Sequence, residues 1–285
     1  MTMNKGVIAC GIAAHVPTLS RRDLTPDYQL SLLQGELELG RRLRSLNPEV
    51  WVIISTHWVS TFNWFVTMQE THKGICVADE APDLIPGIPY NYQGDPSFAQ
   101  ELLRQWSKQG IQYQENKTEH FSWDYGTYVP LSHLDPGAEI PVLSVPVVIM
   151  ANKEECHRAG EAIYEAAKKL GKRTVVIASS ALSHSLVRGR EQWPTDARKK
   201  LDLELIHNLE EGAIEKVCNE FDDYSRQTVS EMGGRAIATM LGTASRLQND
   251  VGKLKGKTFG DYSQSSGSGN INLILADETT SLAFG

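Results

Sequence analysis

Cysteine is scarce. The 285-residue chain has four, Cys10, Cys76, Cys156 and Cys218, widely scattered and without a Cys-x-x-Cys pair. That argues against a zinc–cysteine site and against a disulfide framework, and it fits four reduced thiols. Long apolar runs are missing too: none approaches the roughly 18 residues needed to cross a bilayer, so no membrane partner is expected. The first residues carry one lysine and then a strand-like run with Gly and His. They lack the apolar segment and small-residue cleavage site of a signal peptide, so the expected location is cytoplasmic. Positive charge is short as well. Lys and Arg number 28 against 35 Asp and Glu, a net charge of −7, with no basic run; nucleic acid is not an expected partner. Neither a nucleophile elbow nor a phosphate loop is present, and no flavin or nicotinamide fingerprint.

What the chain does have is strand–helix alternation. Residues 6–14 read as a first strand entering His15-Val16-Pro17, with Pro17 keeping the backbone before it extended. Thr25-Pro26-Asp27 reads as a helix start, Leu30, Leu33, Leu37 and Leu43 as its buried face, and Asn47-Pro48 as its stop. Residues 51–55 form an apolar strand that should leave the sheet at Ser55-Thr56-His57-Trp58. This strand–helix–strand unit belongs to parallel sheets. A strand is expected over 63–68, an irregular excursion over 71–94, and a helix from Asp95-Pro96 to Gly110. Residues 115–130 read as an irregular cleft wall, 141–149 as a strand, 153–170 as a helix closed by Gly171, and 174–178 as a strand leading to His184. One or two surface helices over 195–220, a helical run to about residue 247, a loop over 252–269 and a final strand over 270–275 complete the chain. With no repeat and no linker, the expected fold is a single α/β domain over 1–285. It has a central, mostly parallel or mixed sheet flanked by helices, and its cleft lies at the strand carboxyl ends.

His15 and His57 both sit at strand ends. Two imidazoles and one carboxylate with open positions make the ligand set of non-haem Fe(II) oxygenases. Glu231, before Gly233-Gly234, is the best candidate carboxylate. Hydrogen-bonded loop histidines remain an equally simple reading of His15 and His57. His184 is a candidate general acid/base, since imidazole both takes and returns protons near neutral pH. His120 competes for that role, and Asp124 and Tyr125 beside it are candidate substrate contacts. His72, His133, His157 and His207 read as solvated or structural. Ser179-Ser180 and Ser265-Ser266-Gly267-Ser268-Gly269 read as plain loops.

Taken together, Ala14-His15-Val16-Pro17, Ser55-Thr56-His57-Trp58, Asp124 to Leu131, Leu182-Ser183-His184 and Ser265 to Gly269 resemble the successive signatures of class III extradiol ring-cleavage dioxygenases, the superfamily of the protocatechuate 4,5-dioxygenase β subunit. Tyr90-Asn91-Tyr92-Gln93-Gly94-Asp95-Pro96 resembles the 3,4-dihydroxyphenylacetate 2,3-dioxygenase branch. The resemblance runs in order over roughly residues 7–275. It implies Fe(II) held by His15, His57 and Glu231, with His184 as acid/base. It also implies O₂ and a small catecholic acid as substrates, and a homo-oligomer, a dimer or tetramer, or a second subunit. Tyr125 stands where many members carry histidine. A shifted match at the glutamate would place Ala236 at the ligand position, as in a non-catalytic subunit. A 2-aminophenol dioxygenase, a metal-free structural subunit and a zinc-dependent relative are the competing expectations.

Overall fold

A computed structural model describes residues 5–282. Its central sheet takes four parallel strands from the chain's apolar runs: β1 (Val7–Ala13), β2 (Val50–Ser60), β7 (Val142–Val148) and β8 (Thr174–Ser179). An antiparallel pair, β9 (Leu254–Ser265) and β10 (Ser268–Asp277), extends it on the β1 side. The order across the sheet is β7-β2-β8-β1-β10-β9, so β8 lies between the first two strands of the chain. The parallel strands are apolar throughout because both faces are covered. Val50, Val52 and Ile54 of β2, with Cys10 and Ile12 of β1, face one core. Trp51 and Ile53, with Ala9 and Ala13, face the other. That is the period-two alternation of a strand expressed as two separate cores.

Helices α2 (Pro96–Lys108), α4 (Lys153–Leu170), α6 (Ile214–Thr228) and α7 (Arg235–Val251) cover the first face, together with α5 (Asp196–Glu210). Helices α1 (Leu30–Ser45) and α3 (Tyr125–Leu134) cover the second. A short helix, α8 (Glu278–Leu282), follows β10. Two of these follow local rules closely. Asp95 caps α2 by accepting from the Phe98 amide at 3.0 Å, with Pro96 at the first helical position. Gly171 ends α4 in the left-handed region at φ 64°. Helix α1 begins later than Thr25-Pro26 suggests, because a 3-10 turn over Asp27–Gln29 comes first. Its buried face is Leu32, Leu33, Leu39 and Leu43; Leu30 and Leu37 are only half-buried. The side of α1 that faces α3 carries Gly40, where a Cβ would come within 2.6 Å of the His133 carbonyl oxygen.

Three expected irregular stretches are ordered instead. The 71–94 excursion contains the antiparallel pair β4 (Thr71–Cys76) and β5 (Ile88–Gln93). Residues 115–130 include the end of β6 (Tyr113–Asn116), which pairs with β3 (Trp64–Thr67), and the first turns of the buried helix α3. The 252–269 loop is the β9–β10 hairpin, turned by Ser266 and Gly267, both at positive φ (50° and 85°). Two consecutive left-handed residues match the twist of a tight hairpin. Asn270 is still paired to Ser263. Strand β2 does not leave the sheet at Ser55. Its ladder to β8 stops there, while its partner on β7 jumps from Ser55↔Pro146 to Val59↔Val147. Thr56, His57 and Trp58 are thus extra residues in a bulge, a device that re-aims side chains.

His72 fastens the β4–β5 pair to the sheet. Its Nε2 lies 3.1 Å from the Val142 carbonyl oxygen and therefore donates. Burial lowers its pKa from 6.5 to about 4. Between those values the unfolded chain binds a proton that native His72 does not. Stability therefore falls as pH drops through this window and levels off below it, with a total of about 3 kcal/mol at 1.36 kcal/mol per unit. Denaturant unfolding followed from neutral pH down to about 4 is expected to show this loss in the wild type. His72→Gln, which keeps a donor, should show a flatter profile; equal slopes would remove His72 as its source.

Candidate metal centre and active site

The carboxyl ends of β1, β2 and β8 meet where the sheet order reverses. His15 leaves β1 and is buried. The amide before it, Ala14 N–H, donates to Asn272 Oδ1 at 3.0 Å, which fixes the strand exit. His15 Nδ1 lies 3.0 Å from Ser179 Oγ, and that hydroxyl also lies 2.5 Å from the Gly126 carbonyl oxygen. A hydroxyl has one proton, and a carbonyl can only accept. Ser179 therefore donates to Gly126 and accepts from His15 Nδ1–H. This fixes a proton on Nδ1 and points Nε2 at Glu231 Oε1, 3.2 Å away.

His57 sits in the β2 bulge. Its amide donates to Ser55 Oγ at 3.1 Å, and Ser55 Oγ donates to Asp124 Oδ1 at 2.5 Å. Asp124 also caps α3, accepting from Thr127 N at 2.9 Å and from Thr127 Oγ1 at 3.0 Å. The Tyr125 ring packs on His57 with centroids 3.9 Å apart and planes tilted by 39°. Gly126 lets α3 approach this closely, because a Cβ there would lie 2.5 Å from Ser55 Oγ and 3.2 Å from His57 Cδ2.

Glu231 opens a 3-10 turn, Glu231–Gly234, between α6 and α7. Met232, Gly233 and Gly234 are all left-handed, at φ 47°, 66° and 75°. Two of the three are glycine, for which this conformation carries no Cβ penalty. Glu231 Oε2 accepts from the Ala181 amide at 2.6 Å. Its Oε1 faces three imidazoles: His15 Nε2 at 3.2 Å, His57 Nε2 at 3.5 Å and His184 Nε2 at 3.7 Å. Burial opposes charge on Glu231, but His15 and its neighbours outweigh it and hold the carboxyl well below its usual range. Burial likewise opposes charge on His15, and Glu231 overrides it, keeping the imidazole above its ordinary pKa. Three imidazole nitrogens converging on a buried carboxylate leave a place for a cation between them, either a proton on His15 Nε2 or a metal ion. Ligand atoms of His15, His57 and Glu231 all lie within 4.8 Å of one another, and this is the one such group of three among the described residues. Two nitrogens and one oxygen with open positions suit a divalent iron-type ion. Ala236, the alternative position, is buried in α7 and carries no ligand atom.

These groups line a cavity of about 310 Å³, at the small end of ligand pockets (about 300–1,000 Å³) and suited to a single ring. His184 is on its wall, and burial lowers its pKa. The segment carrying it is held from both sides. Its amide donates to the Val229 carbonyl at 3.2 Å. The buried Asp202 accepts from Ser183 Oγ at 2.6 Å, Tyr262 OH at 2.5 Å and Tyr224 OH at 2.8 Å. Tyr125 also lines the cavity, its phenol kept protonated by burial and by Glu80 and Glu231 nearby.

Two expected contacts are placed elsewhere. His120 is exposed in the turn after β6 and is absent from the cavity wall, and Asp124 spends its oxygens on the α3 cap and Ser55. Residues missed from sequence include Ser179, Asp202 and Glu80, whose Oε1 lies 3.5 Å from His57 Nδ1. Ser179 carried a signal, since it ends a strand beside two others that end in histidine. Asp202 and Glu80 carried none. The other histidines take structural or surface places: His133 Nδ1 bonds buried Glu36 at 2.9 Å, His157 Nε2 meets Ser245 Oγ at 3.1 Å, and His207 is exposed on α5.

Two histidines and a carboxylate with open positions beside a ring-sized cavity are the arrangement of a metal-dependent oxygenase. The description "Catalytic LigB subunit of aromatic ring-opening dioxygenase" matches residues 9–275, and the chain belongs to that family of extradiol dioxygenases. Similar proteins include the 3,4-dihydroxyphenylacetate 2,3-dioxygenase of Escherichia coli, 21% identical over 250 residues that cover 84% of this chain and 90% of that protein. The 2-aminophenol 1,6-dioxygenase β subunit of a Pseudomonas species is 24% identical over 300 residues, with 96% of each chain covered. The α subunit of the same name is 24% identical over 237 residues, 81% of this chain and 85% of that one. The crystal structure of an uncharacterized protein from Escherichia coli K12 superposes with a TM-score of 0.67 at 18% identity, covering 94% of this chain and 99% of that one, which speaks for the fold. No helix among the described residues is long and apolar enough to cross a membrane.

Ser179 holds the His15 tautomer without reaching the cavity. Loss of such a partner typically weakens metal binding by roughly 10–100-fold. Ser179→Ala is expected to bind ferrous ion that much more weakly in chelator competition, with its circular dichroism unchanged. Unaltered affinity would assign the tautomer to another cause.

Proposed function

We propose that the protein is an Fe(II)-dependent extradiol dioxygenase that opens the ring of a catecholic acid, such as 3,4-dihydroxyphenylacetate or protocatechuate, beside its diol. Both oxygen atoms of O₂ enter the product, a muconic semialdehyde. The observation that carries this reading is Glu231 Oε1 facing the Nε2 atoms of His15, His57 and His184 at the end of a ring-sized cavity. In it, His15, His57 and Glu231 hold the metal. Ferrous ion, when bound, supplies adjacent open positions for the diol and O₂ and a path for electrons between them.

The chain's own residues do the rest. Ser179 and Asn272 fix His15, while Ser55 and Asp124 fix the backbone of the His57 bulge. Tyr125 closes one side of the ring site with an aromatic face that excludes water. His184, held by its amide bond to Val229 and by the Asp202 cluster beside it, accepts a proton from one substrate hydroxyl at Nε2. It returns that proton to the oxygen that departs when the O–O bond breaks. No external reductant is required. The whole chain acts as one catalytic domain, assembled with a copy of itself as a dimer or tetramer.

A 2-aminophenol is the second reading. It is favoured by the likeness to a 2-aminophenol 1,6-dioxygenase β subunit over 96% of both chains and by the Glu80 carboxylate on the cavity wall. A metal-free subunit is disfavoured because all three ligand side chains converge.

The deciding experiment is anaerobic reconstitution with Fe(II), followed by oxygen uptake on a panel of 3,4-dihydroxyphenylacetate, protocatechuate and 2-aminophenol. Uptake equal to the yellow ring-opened product from a catechol establishes the reading, and preference for the aminophenol transfers it to the second. Absence of uptake with any of them overturns both. Replacing His184 with Phe is expected to lower turnover by roughly 10²–10⁴-fold, the usual share of a positioned acid/base, with iron content unchanged. Full turnover, or lost iron, would take His184 out of that role.

A further inference from the structure

The cavity wall is acidic: Glu80, Asp83 and Glu231 all contribute to it. Against them stands one permanently charged cation, Arg190, the only Lys or Arg among the described lining residues. Arg190 Nη2 donates to Asp83 Oδ2 at 2.8 Å, across the mouth from the β4–β5 loop to the segment before α5. The backbone around Arg190 is tied to the β9–β10 turn: Ser266 N–H donates to the Arg190 carbonyl at 3.1 Å, Gly267 N–H to the Gln192 carbonyl at 2.8 Å, and Val187 N–H to the Ser266 carbonyl at 2.8 Å. Asp83 lies in the turn that connects β4 and β5, and Arg190 is the one side chain among the described residues that bonds its carboxylate. Its side chain is 64% exposed and that of Arg190 55%. Exposed ion pairs of this kind are weak and easily exchanged.

We propose that Arg190 is the specificity-determining residue for the acidic substituent of the substrate, and that Asp83 is its internal competitor. A guanidinium fork presents paired donors that match a carboxylate. With the diol directed to the His15–His57–Glu231 end, a carboxylate on the ring substituent takes the place of Asp83 on Arg190. Neutral catechols leave the Arg190–Asp83 pair closed and gain nothing from it. The inference rests on the ring-cleavage reading for the placement of the diol, but the anchor itself is testable by binding alone.

The test uses the full chain loaded with Fe(II) and two pairs of probes. Anaerobic titration compares 4-hydroxyphenylacetate with neutral 4-methylphenol, neither of which has a diol to cleave. Steady-state oxygen uptake compares 3,4-dihydroxyphenylacetate with neutral 4-methylcatechol. Arg190→Gln is expected to weaken binding of the acid roughly tenfold or more, the worth of a charge-assisted hydrogen bond. It should raise KM for the acidic catechol by a similar factor while leaving kcat and the neutral probes unchanged. Asp83→Asn frees Arg190 and is expected to tighten the acid severalfold, again without effect on the neutral probes. Equal effects on acid and neutral probes, or none on the acid, overturn the proposal. Discrimination in binding with no cleavage of any catechol would uphold the anchor and overturn the ring-cleavage reading instead. The reverse pattern would uphold cleavage and overturn the anchor.

Discussion

A carboxylate buried at the meeting point of three strand ends is the constraint to which the surrounding structure answers. Glu231 is 3% exposed and has little access to water. An unpaired charge in such a place is costly, so the chain surrounds it with the Ala181 amide and three imidazoles. Each of those groups then needs its own support. His15 requires Ser179 and Asn272, His57 requires a bulge and the Ser55–Asp124 bond, and His184 requires the Asp202 cluster. The left-handed run after Glu231 and the glycine at 126 are accommodations to the same crowding. Local rules are broken where the ligands converge and obeyed in the outer helices, as when α2 and α4 receive ordinary caps.

The parallel core was legible in the sequence because burial on both faces leaves a continuous apolar run. Strands β1, β7 and β8, the start of β2, and helices α2 and α4 were found within a few residues. The convergence of His15 and His57 was legible because each follows such a run. Elements whose stability comes from partners were not. Strands β4 and β5 are half-polar, and only their pairing with each other makes them strands. Strand β9 carries lysines, glycines and serines, and it reads as a loop until β10 is placed beside it; the Ser266-Gly267 pair was the available hint of a hairpin. Helix α3 was hidden by its aromatics and by Pro130, and it is stabilised by burial against α1 rather than by propensity. Asp202 and Glu80 could not be singled out, because their value lies in contacts with residues far away in sequence.

The order of strands in the sheet has a consequence for how the chain is made. β1 and β2 do not pair with each other; β8 lies between them. A nascent chain that has emerged only as far as α4 therefore holds two apolar strands whose shared neighbour does not yet exist, each with open backbone edges of the kind that invite aggregation. The central sheet becomes continuous only when residues 174–179 insert. The His15–His57–Glu231 cluster comes together later still, once Glu231 and the strand carrying Asn272 have been synthesised. Truncation anywhere before β10 leaves the N-terminal half an unfinished sheet, a burden on chaperones and proteases.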